Sequence, residues 1–269
     1  MNVEIDLRDL ARDIAREAGD LARRRRAEGV SIAASKSTLA DIVTEADREV
    51  EAFIRARLEA ERPDDGFLGE ESTASESRSG ITWVVDPIDG TVNYASGMPS
   101  YAVSIAAVRG GVTFATWEAL AGAVDVPALG ETFDAARGEG SRVASASGTS
   151  RLHVASEYPA GALIGTGLGY DPATHAGDIA TMQAVMPLAR DVRRIGAAAV
   201  DLSYVAAGRL DAYFERGLKS WDLAAGSLIV AEAGGSVVEL PEDPFGRRMT
   251  IAAHADLAAS IADRVRSVN

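Results

Sequence analysis

The chain has 269 residues, of which 47% are hydrophobic, so it can bury a sizeable core and is expected to be folded. Its formal net charge of −13 disfavours nucleic acid as a partner, because a phosphate backbone needs a basic face. It has no cysteine and three histidines, which excludes thiolate sites and makes a histidine-rich zinc site hard to build. Any bound metal is therefore expected to be a hard cation held by oxygen.

Two amphipathic helices are predicted first along the chain. Apolar residues recur at helical spacing over residues 6–26, and a second apolar stripe follows over residues 44–61. Thr44 and Asp47 have the spacing of a helix start. No apolar run of about 18 residues occurs, so no membrane partner is expected. The first residues lack the pattern of a secretory signal, which predicts a cytoplasmic protein.

Short apolar runs predict the elements that follow. Strands are expected over residues 67–68, 81–85, 101–108, 112–117, 121–126 and 131–136. The small, polar residues 141–150 suggest an internal boundary between an N-terminal α+β half, 1–145, and a C-terminal α/β half, 146–269, of one compact unit. In the second half, strand patterns alternate with helical ones. The strands are expected at 152–155, 162–166 and 236–240, and the helices at 178–190, 197–207, 222–233 and 257–268.

Carboxylates occur in several separated segments, and the segment around Asp86 has the most specific pattern. Asp86 is expected at the end of a buried strand, and Asp89 follows at a spacing that turns both carboxylates to one side of a tight loop. With the carbonyl of Ile88 they form an oxygen set that magnesium prefers. Gly90 and Thr91 then open a helix or turn whose N–H groups can hold an anion. An ordinary Asp-Gly turn after a strand is the alternative, and this segment alone does not decide between them.

The other acidic segments also have ordinary interpretations. Glu70 and Glu71 follow a predicted strand, where adjacent acids are often merely exposed. Asp222 and Asp47 stand near predicted helix starts, where an acid commonly caps the helix.

The segments 41–47, 69–72, 86–93 and 221–226, taken in this order and spacing, resemble the signature of the inositol monophosphatase family of metal-dependent, lithium-sensitive phosphomonoesterases. The resemblance covers nearly the whole chain, from Lys36 to the strand after Gly235. It implies an α/β (α+β) sandwich of alternating α-β-α-β-α layers, commonly a homodimer. It also implies Mg²⁺-dependent hydrolysis of a small phosphate monoester, here inositol monophosphate, by a metal-activated water.

The resemblance implies which residues would hold the two or three Mg²⁺ ions. Glu70, Asp86 and the Ile88 carbonyl would hold the first ion. Asp86, Asp89 and Asp222 would hold the second, and a third, weaker ion would lie near Glu70. Neighbouring carboxylates cannot all stay ionised without cations, which agrees with these assignments.

The resemblance also implies catalytic and substrate-binding residues. Thr91 with Asp47, helped by Glu70, would position and deprotonate the attacking water. The N–H groups of Gly90 and Thr91 would bind phosphate. The implied substrate-binding residues are Lys36, Asp89, Gly90, Thr91, Gly196, Ala197, Glu215 and Asp222.

The substrate itself stays open at this point. Ala197 stands where the family often has a hydroxyl residue, so one ring contact is expected to be missing. Glu215 matches the family acid that accepts hydrogen bonds from ring hydroxyls, but it also fits an exposed strand end. The short loop 72–80 favours inositol phosphate over fructose 1,6-bisphosphate or adenosine 3′,5′-bisphosphate. Histidinol phosphate and a regulatory binding role on the same fold remain alternatives.

Overall fold

The computed structural model describes residues 2–29, 32–35 and 42–268, with side-chain detail for these except 32–35 and 42–43. The helices are α1 Val3–Glu28, α2 Glu45–Glu61, α3 Thr91–Ala95, α4 His175–Val185, α5 Ala198–Ala206, α6 Ser220–Glu232 and α7 Ala255–Arg266. The strands of the first half are β1 Ile32–Ser35, β2 Ile42–Thr44, β3 Gly66–Gly69, β4 Ile81–Asp89, β5 Ala102–Gly110, β6 Trp117–Val126, β7 Glu131–Ala136, β8 Gly140–Ser145 and β9 Gly148–Arg151. Those of the second half are β10 Ala162–Thr166, β11 Ala189–Arg193, β12 Ala212–Arg216, β13 Ser236–Leu240 and β14 Met249–Ala253.

Two large sheets organise these elements. The first has seven strands in the order β3-β4-β5-β6-β7-β8-β9, and only β3 and β4 are parallel within it. The second has five strands in the order β11-β10-β12-β14-β13. Its first three strands run parallel, and β14 and β13 are antiparallel to their neighbours. A separate two-stranded ladder joins β1 to β2.

Helices cover both faces of each sheet. One buried cluster joins α1 and α2 to the seven-stranded sheet, and a second joins the opposite face of that sheet to α5 and α6. The second cluster also includes Tyr213 and Ala252 of the five-stranded sheet. A third cluster packs α7 and the end of α4 against the other face of the five-stranded sheet. These layers confirm the predicted α-β-α-β-α sandwich.

The side-chain alternation of β4 explains how one strand serves two layers. Trp83 and Val85 pack in the cluster with α1 and α2, and Val84 between them packs in the cluster with α5 and α6. Successive side chains of a strand face opposite sides, so a continuous apolar run buries both faces. This strand is therefore fixed from both sides where it delivers its acids.

The structure corrects four local predictions. Of the strand predicted over residues 112–117, residues 112–116 form bends and a turn, and residue 117 begins β6. Residues 140–151 form the β8–β9 hairpin at the edge of the large sheet, although their small, polar composition suggested a connector. Residues 152–155 form no strand, and β11 begins at Ala189, where the helical prediction still ran. Edge strands bury little apolar surface, so their sequences carry a weak pattern. The division after residue 145 stays a prediction.

A buried acid lies where α1 crosses β6. Thr132 donates a hydrogen bond to Asp125 Oδ1 at 2.8 Å, and Arg16 Nε donates to Thr132 Oγ1 at 2.9 Å. Gly19 of α1 lies so close that a Cβ there would overlap the Asp125 carboxylate. Burial raises the pKa of Asp125 to about 6, and Thr132 opposes part of that rise.

No helix in the described part of the chain has the length and apolar character needed to cross a bilayer.

We expect Asp125→Asn to remove a pH-dependent loss of stability. The pKa of about 6 in the folded state exceeds the ordinary aspartate value of 3.8, so the folded state binds the proton more tightly than the unfolded state does. The free energy of unfolding therefore falls as pH rises from about 4 to 6. The variant should gain on the order of 1–3 kcal/mol relative to the native protein between pH 4 and pH 7. Urea unfolding at both pH values measures this difference, and an equal pH slope for the two proteins would contradict it.

Candidate active site

Two acids at the end of β4 face the same side because the strand carries a bulge. Asp86 pairs with Ser104 of β5 and Asp89 pairs with Ala102, so β4 uses one more residue than β5 over this stretch. Residues three apart in a regular strand face opposite sides, and one extra residue brings them to the same side. The Ile88 N–H donates to Asp86 Oδ1 at 3.1 Å, which fixes the orientation of that carboxylate.

Asp222 completes a group of three carboxylates. It lies in the first turn of α6, where its Oδ2 accepts a hydrogen bond from the Lys219 N–H at 2.6 Å. Oxygen atoms of Asp86, Asp89 and Asp222 all lie within 4.8 Å of one another. These three residues come from positions up to 136 apart in the chain, yet they offer a compact set of oxygen ligands.

The electrostatics of this group fit a bound cation. Burial raises the pKa of Asp86 well above its ordinary value, that of Asp89 to about 7 and that of Asp222 to about 8. Neighbouring acids, including Glu70, add to each rise. An oxygen-only donor set with this much repulsion is suited to a hard divalent ion, which stabilises the ionised forms.

Asp47 and Thr91 form a second part of the site. The Thr91 hydroxyl lies 3.1 Å from Asp47 Oδ1 and 3.1 Å from the Ile88 carbonyl oxygen. The other oxygen of Asp47 accepts hydrogen bonds from the Thr44 N–H at 2.8 Å and the Thr44 hydroxyl at 2.5 Å. Burial raises the pKa of Asp47, and the bonds from Thr44 oppose that rise. Asp47 is thus a fixed acceptor beside a threonine hydroxyl at the edge of the carboxylate group.

The turn between β4 and α3 requires glycine at its centre. Gly90 has φ of 85°, in the left-handed region that other residues rarely adopt. A Cβ at Gly90 would lie 3.0 Å from both the Ala197 Cβ and the Ser100 carbonyl oxygen. Asn93 Nδ2 donates to the carbonyl oxygens of Ser100 at 2.7 Å and Ile195 at 2.9 Å, which ties this turn to the segment before α5.

The segment before α5 forms the opposite wall. Ala197 is buried and immediately precedes α5, and it forms no side-chain cap. The acceptor at this helix start is Asp89, whose Oδ2 receives a hydrogen bond from the Ala199 N–H at 2.7 Å. The carboxylate that β4 contributes to the acidic group therefore also fixes the start of α5.

A cavity of about 390 Å³ brings most of the predicted site residues together. Its walls include Glu70, Asp86, Ile88, Asp89, Gly90, Thr91, Gly196, Ala197, Glu215 and Asp222. Asp47 contacts this set through Thr91. Lys36 lies outside the described residues.

Sequence reasoning missed several residues of the same cavity, among them Tyr170, Arg194 and Arg247. Arg247 forms ion pairs with Asp178 at 2.8 Å and Asp243 at 2.9 Å, so it stabilises the wall. Burial raises the pKa of Tyr170, with Asp89 and Glu215 adding to the rise. The glycines at 167 and 169, in the segment that carries Tyr170, are a sequence signal that could have pointed there.

We expect Mg²⁺ to stabilise the protein, and more strongly at pH 8.5 than at pH 6. Protons compete with the cation for Asp89 and Asp222, whose pKa values are raised to about 7 and about 8. At pH 8.5 the melting temperature should rise on the order of 5–10 °C when Mg²⁺ exceeds its Kd about a hundredfold.

Two variants test whether the carboxylate group is the site of this effect. Asp222→Asn should lose most of the Mg²⁺-dependent rise, because it removes one charge from the group. Asp256→Asn is the matched control, since Asp256 has a side chain that is 91% exposed and lies outside the cavity. An undiminished rise in Asp222→Asn, measured by thermal melting, would refute the assignment.

Comparisons with known proteins agree with this architecture. Residues 6–268 match the sequence profile described as the inositol monophosphatase family. The inositol-1-monophosphatase SuhB of Mycobacterium tuberculosis strain H37Rv is 45% identical over 248 residues, which cover 86% of this chain and 83% of the relative. A protein of Haemophilus influenzae named Nus factor SuhB is 38% identical over 228 residues, which cover 84% of this chain and 82% of the relative.

Solved structures give the same result for the fold. Mycobacterium tuberculosis SuhB superimposes with a TM-score of 0.83 at 40% identity, over 98% of this chain and 97% of the other. The inositol monophosphatase from Anabaena superimposes with a TM-score of 0.82 at 28% identity, over 100% of this chain and 98% of the other.

Proposed function

This chain belongs to the inositol monophosphatase family, and on that premise we propose that it is a Mg²⁺-dependent phosphatase that hydrolyses inositol monophosphate to inositol and phosphate. The observation that carries the proposal is the arrangement of Asp86, Asp89 and Asp222 in one cavity with the Thr91–Asp47 pair beside them. We propose a homodimer as its assembly and no nucleic-acid or membrane partner.

The family is metal-dependent, and the acids of the cavity fit that requirement. Glu70, Asp86, Asp89 and Asp222, with the carbonyl of Ile88, would hold two or three Mg²⁺ ions. When bound, these ions would neutralise the repulsion between substrate and acids and lower the pKa of the attacking water.

Thr91 and Asp47 would move the proton of that water. Thr91 donates to Asp47 Oδ1, so its oxygen is left to accept a hydrogen bond from water. As the water attacks phosphorus, its proton would pass to Thr91 Oγ1 while the threonine proton passes to Asp47. Burial raises the pKa of Asp47, which favours proton uptake by this carboxylate.

The two ends of the cavity would bind different parts of the substrate. The N–H groups of Gly90 and Thr91 would bind the phosphate at the metal end. Gly196, Ala197 and Glu215 would contact the polyol ring, with Glu215 accepting hydrogen bonds from hydroxyls. Because Ala197 has no hydroxyl, the ring would have one contact fewer on that wall.

A regulatory role on the same fold is the second candidate, and the relative named Nus factor SuhB favours it. The crowded acids argue that catalysis is retained, because buried carboxylates without cations destabilise a fold. Phosphate release therefore separates the two candidates.

We expect phosphate release in the presence of Mg²⁺ to favour inositol 1-phosphate over fructose 1,6-bisphosphate, histidinol phosphate and adenosine 3′,5′-bisphosphate. The preference in kcat/KM should be about tenfold or more, since hydroxyl recognition by a buried acceptor discriminates strongly. Preference for another substrate would retain the mechanism and reassign the specificity. No release from any of them, with Mg²⁺ still binding, would favour the regulatory role.

Thr91→Ala should lower kcat about 10²- to 10⁴-fold, with a smaller change in KM, because it removes the proton acceptor beside the water. Thr91→Ser is the matched control, since it retains the hydroxyl, and it should stay within about tenfold of the native kcat. Steady-state phosphate release measures both variants. Equal losses in the two would show that the hydroxyl is not the functional group.

A further inference from the structure

At the ends of the neighbouring strands β10 and β12, small residues lie beside large ones. Gly165 of β10 pairs with Tyr213 of β12, and Thr166 pairs with Phe214. Side chains two residues apart share a face, so Gly167 and Glu215 extend the same face by one step. Glycines at 165 and 167 thus lie beside a tyrosine at 213 and an acid at 215.

Gly167 makes room for the Glu215 side chain, because a Cβ at Gly167 would overlap the Glu215 carboxylate. A Cβ at Gly165 would lie 2.6 Å from Asp201 Oδ1 and 3.3 Å from the Tyr213 ring, so this glycine also relieves crowding on the same face. The carboxylate of Glu215 therefore lies directly against the backbone of its neighbour, at the wall of the cavity. Little lateral freedom is left for it.

Tyr213 fixes the orientation of this carboxylate. Its side chain is fully buried, and its hydroxyl donates to Glu215 Oε2 at 2.5 Å. Burial raises the pKa of Tyr213 well above its ordinary value, so the phenol stays a donor. In the described part of the chain, Glu215 Oε1 has no hydrogen-bond partner, and this oxygen is left for a ligand in the cavity.

We infer that Tyr213 is a positioning residue that sets substrate specificity by holding Glu215 with one oxygen engaged and one presented to the substrate. The inference rests on the proposed function and deepens it, because it concerns the polyol end of the same cavity. Tyr213 is not among the residues that line the cavity, so its effect on a bound substrate would act through Glu215. A carboxylate held in this way accepts one hydroxyl from a fixed direction, whereas a free one would rotate about its broad terminal torsion.

The test is Tyr213→Phe, which removes only the hydroxyl. For inositol 1-phosphate, KM should rise about three- to tenfold, the effect of one lost hydrogen bond, with kcat within about twofold of native. For p-nitrophenyl phosphate, which has no hydroxyl to offer Glu215, both parameters should stay unchanged. Calorimetric binding of inositol 1-phosphate gives a second readout, independent of turnover.

A matched control and a second background separate positioning from general damage. Tyr101→Phe removes the hydroxyl of another buried tyrosine, one that has no hydrogen-bond partner in the described chain, and should change neither substrate's KM. In a Glu215→Ala background, Tyr213→Phe should have no further effect, because its effect acts through Glu215.

The outcomes distinguish this inference from the proposed function. The inference would be overturned if Tyr213→Phe lowered kcat/KM equally for inositol 1-phosphate and p-nitrophenyl phosphate. It would also be overturned if the KM and the binding affinity for inositol 1-phosphate were unchanged. So would a further loss in the Glu215→Ala background. Failure of the native protein to release phosphate from any substrate would overturn the proposed function, whereas the calorimetric comparison would still decide the role of Tyr213.

Discussion

Repulsion among buried carboxylates is the constraint on which the rest of this site depends. Asp86, Asp89 and Asp222 lie within a few ångströms of one another, and burial and mutual charge raise the pKa of each. The fold holds them there because apolar layers pack against both sides of β4 and against α6. The energy that keeps these acids close comes from the apolar core, and a cation then stabilises the charges.

Several acids of the site share the same pattern of hydrogen bonding. One oxygen of the carboxylate is hydrogen-bonded to the scaffold, which fixes the direction of the side chain. The pairs are Asp47 with Thr44, Asp89 with Ala199, Asp222 with Lys219 and Glu215 with Tyr213. For Asp47 and Asp222 these are helix-start contacts, so the capping interpretation and the functional interpretation of the sequence both hold for the same residues.

Periodic apolar residues predicted the main helices and several strands, whereas the layer order and the roles of the acidic residues came from the resemblance of four segments, taken together, to one family. The sequence could not predict the bulge at Asp86–Asp89, since pairing with β5 defines it. The contacts of Asp89 with Ala199, 110 residues away, and the wall residues Tyr170 and Arg194 are likewise tertiary. The β8–β9 hairpin was missed for another reason, because an exposed edge needs little apolar surface.

The bond between Asp89 and the start of α5 joins two parts of the cavity thermodynamically. The same carboxylate belongs to the acidic group and anchors the helix that follows Gly196 and Ala197. A cation bound beside Asp89 would change the charge on its carboxylate and so its strength as an acceptor for the Ala199 N–H. Cation binding at the acidic group would then be coupled to the stability of the start of α5. By reciprocity, a ligand that orders the start of α5 changes cation affinity by the same factor that the cation changes ligand affinity.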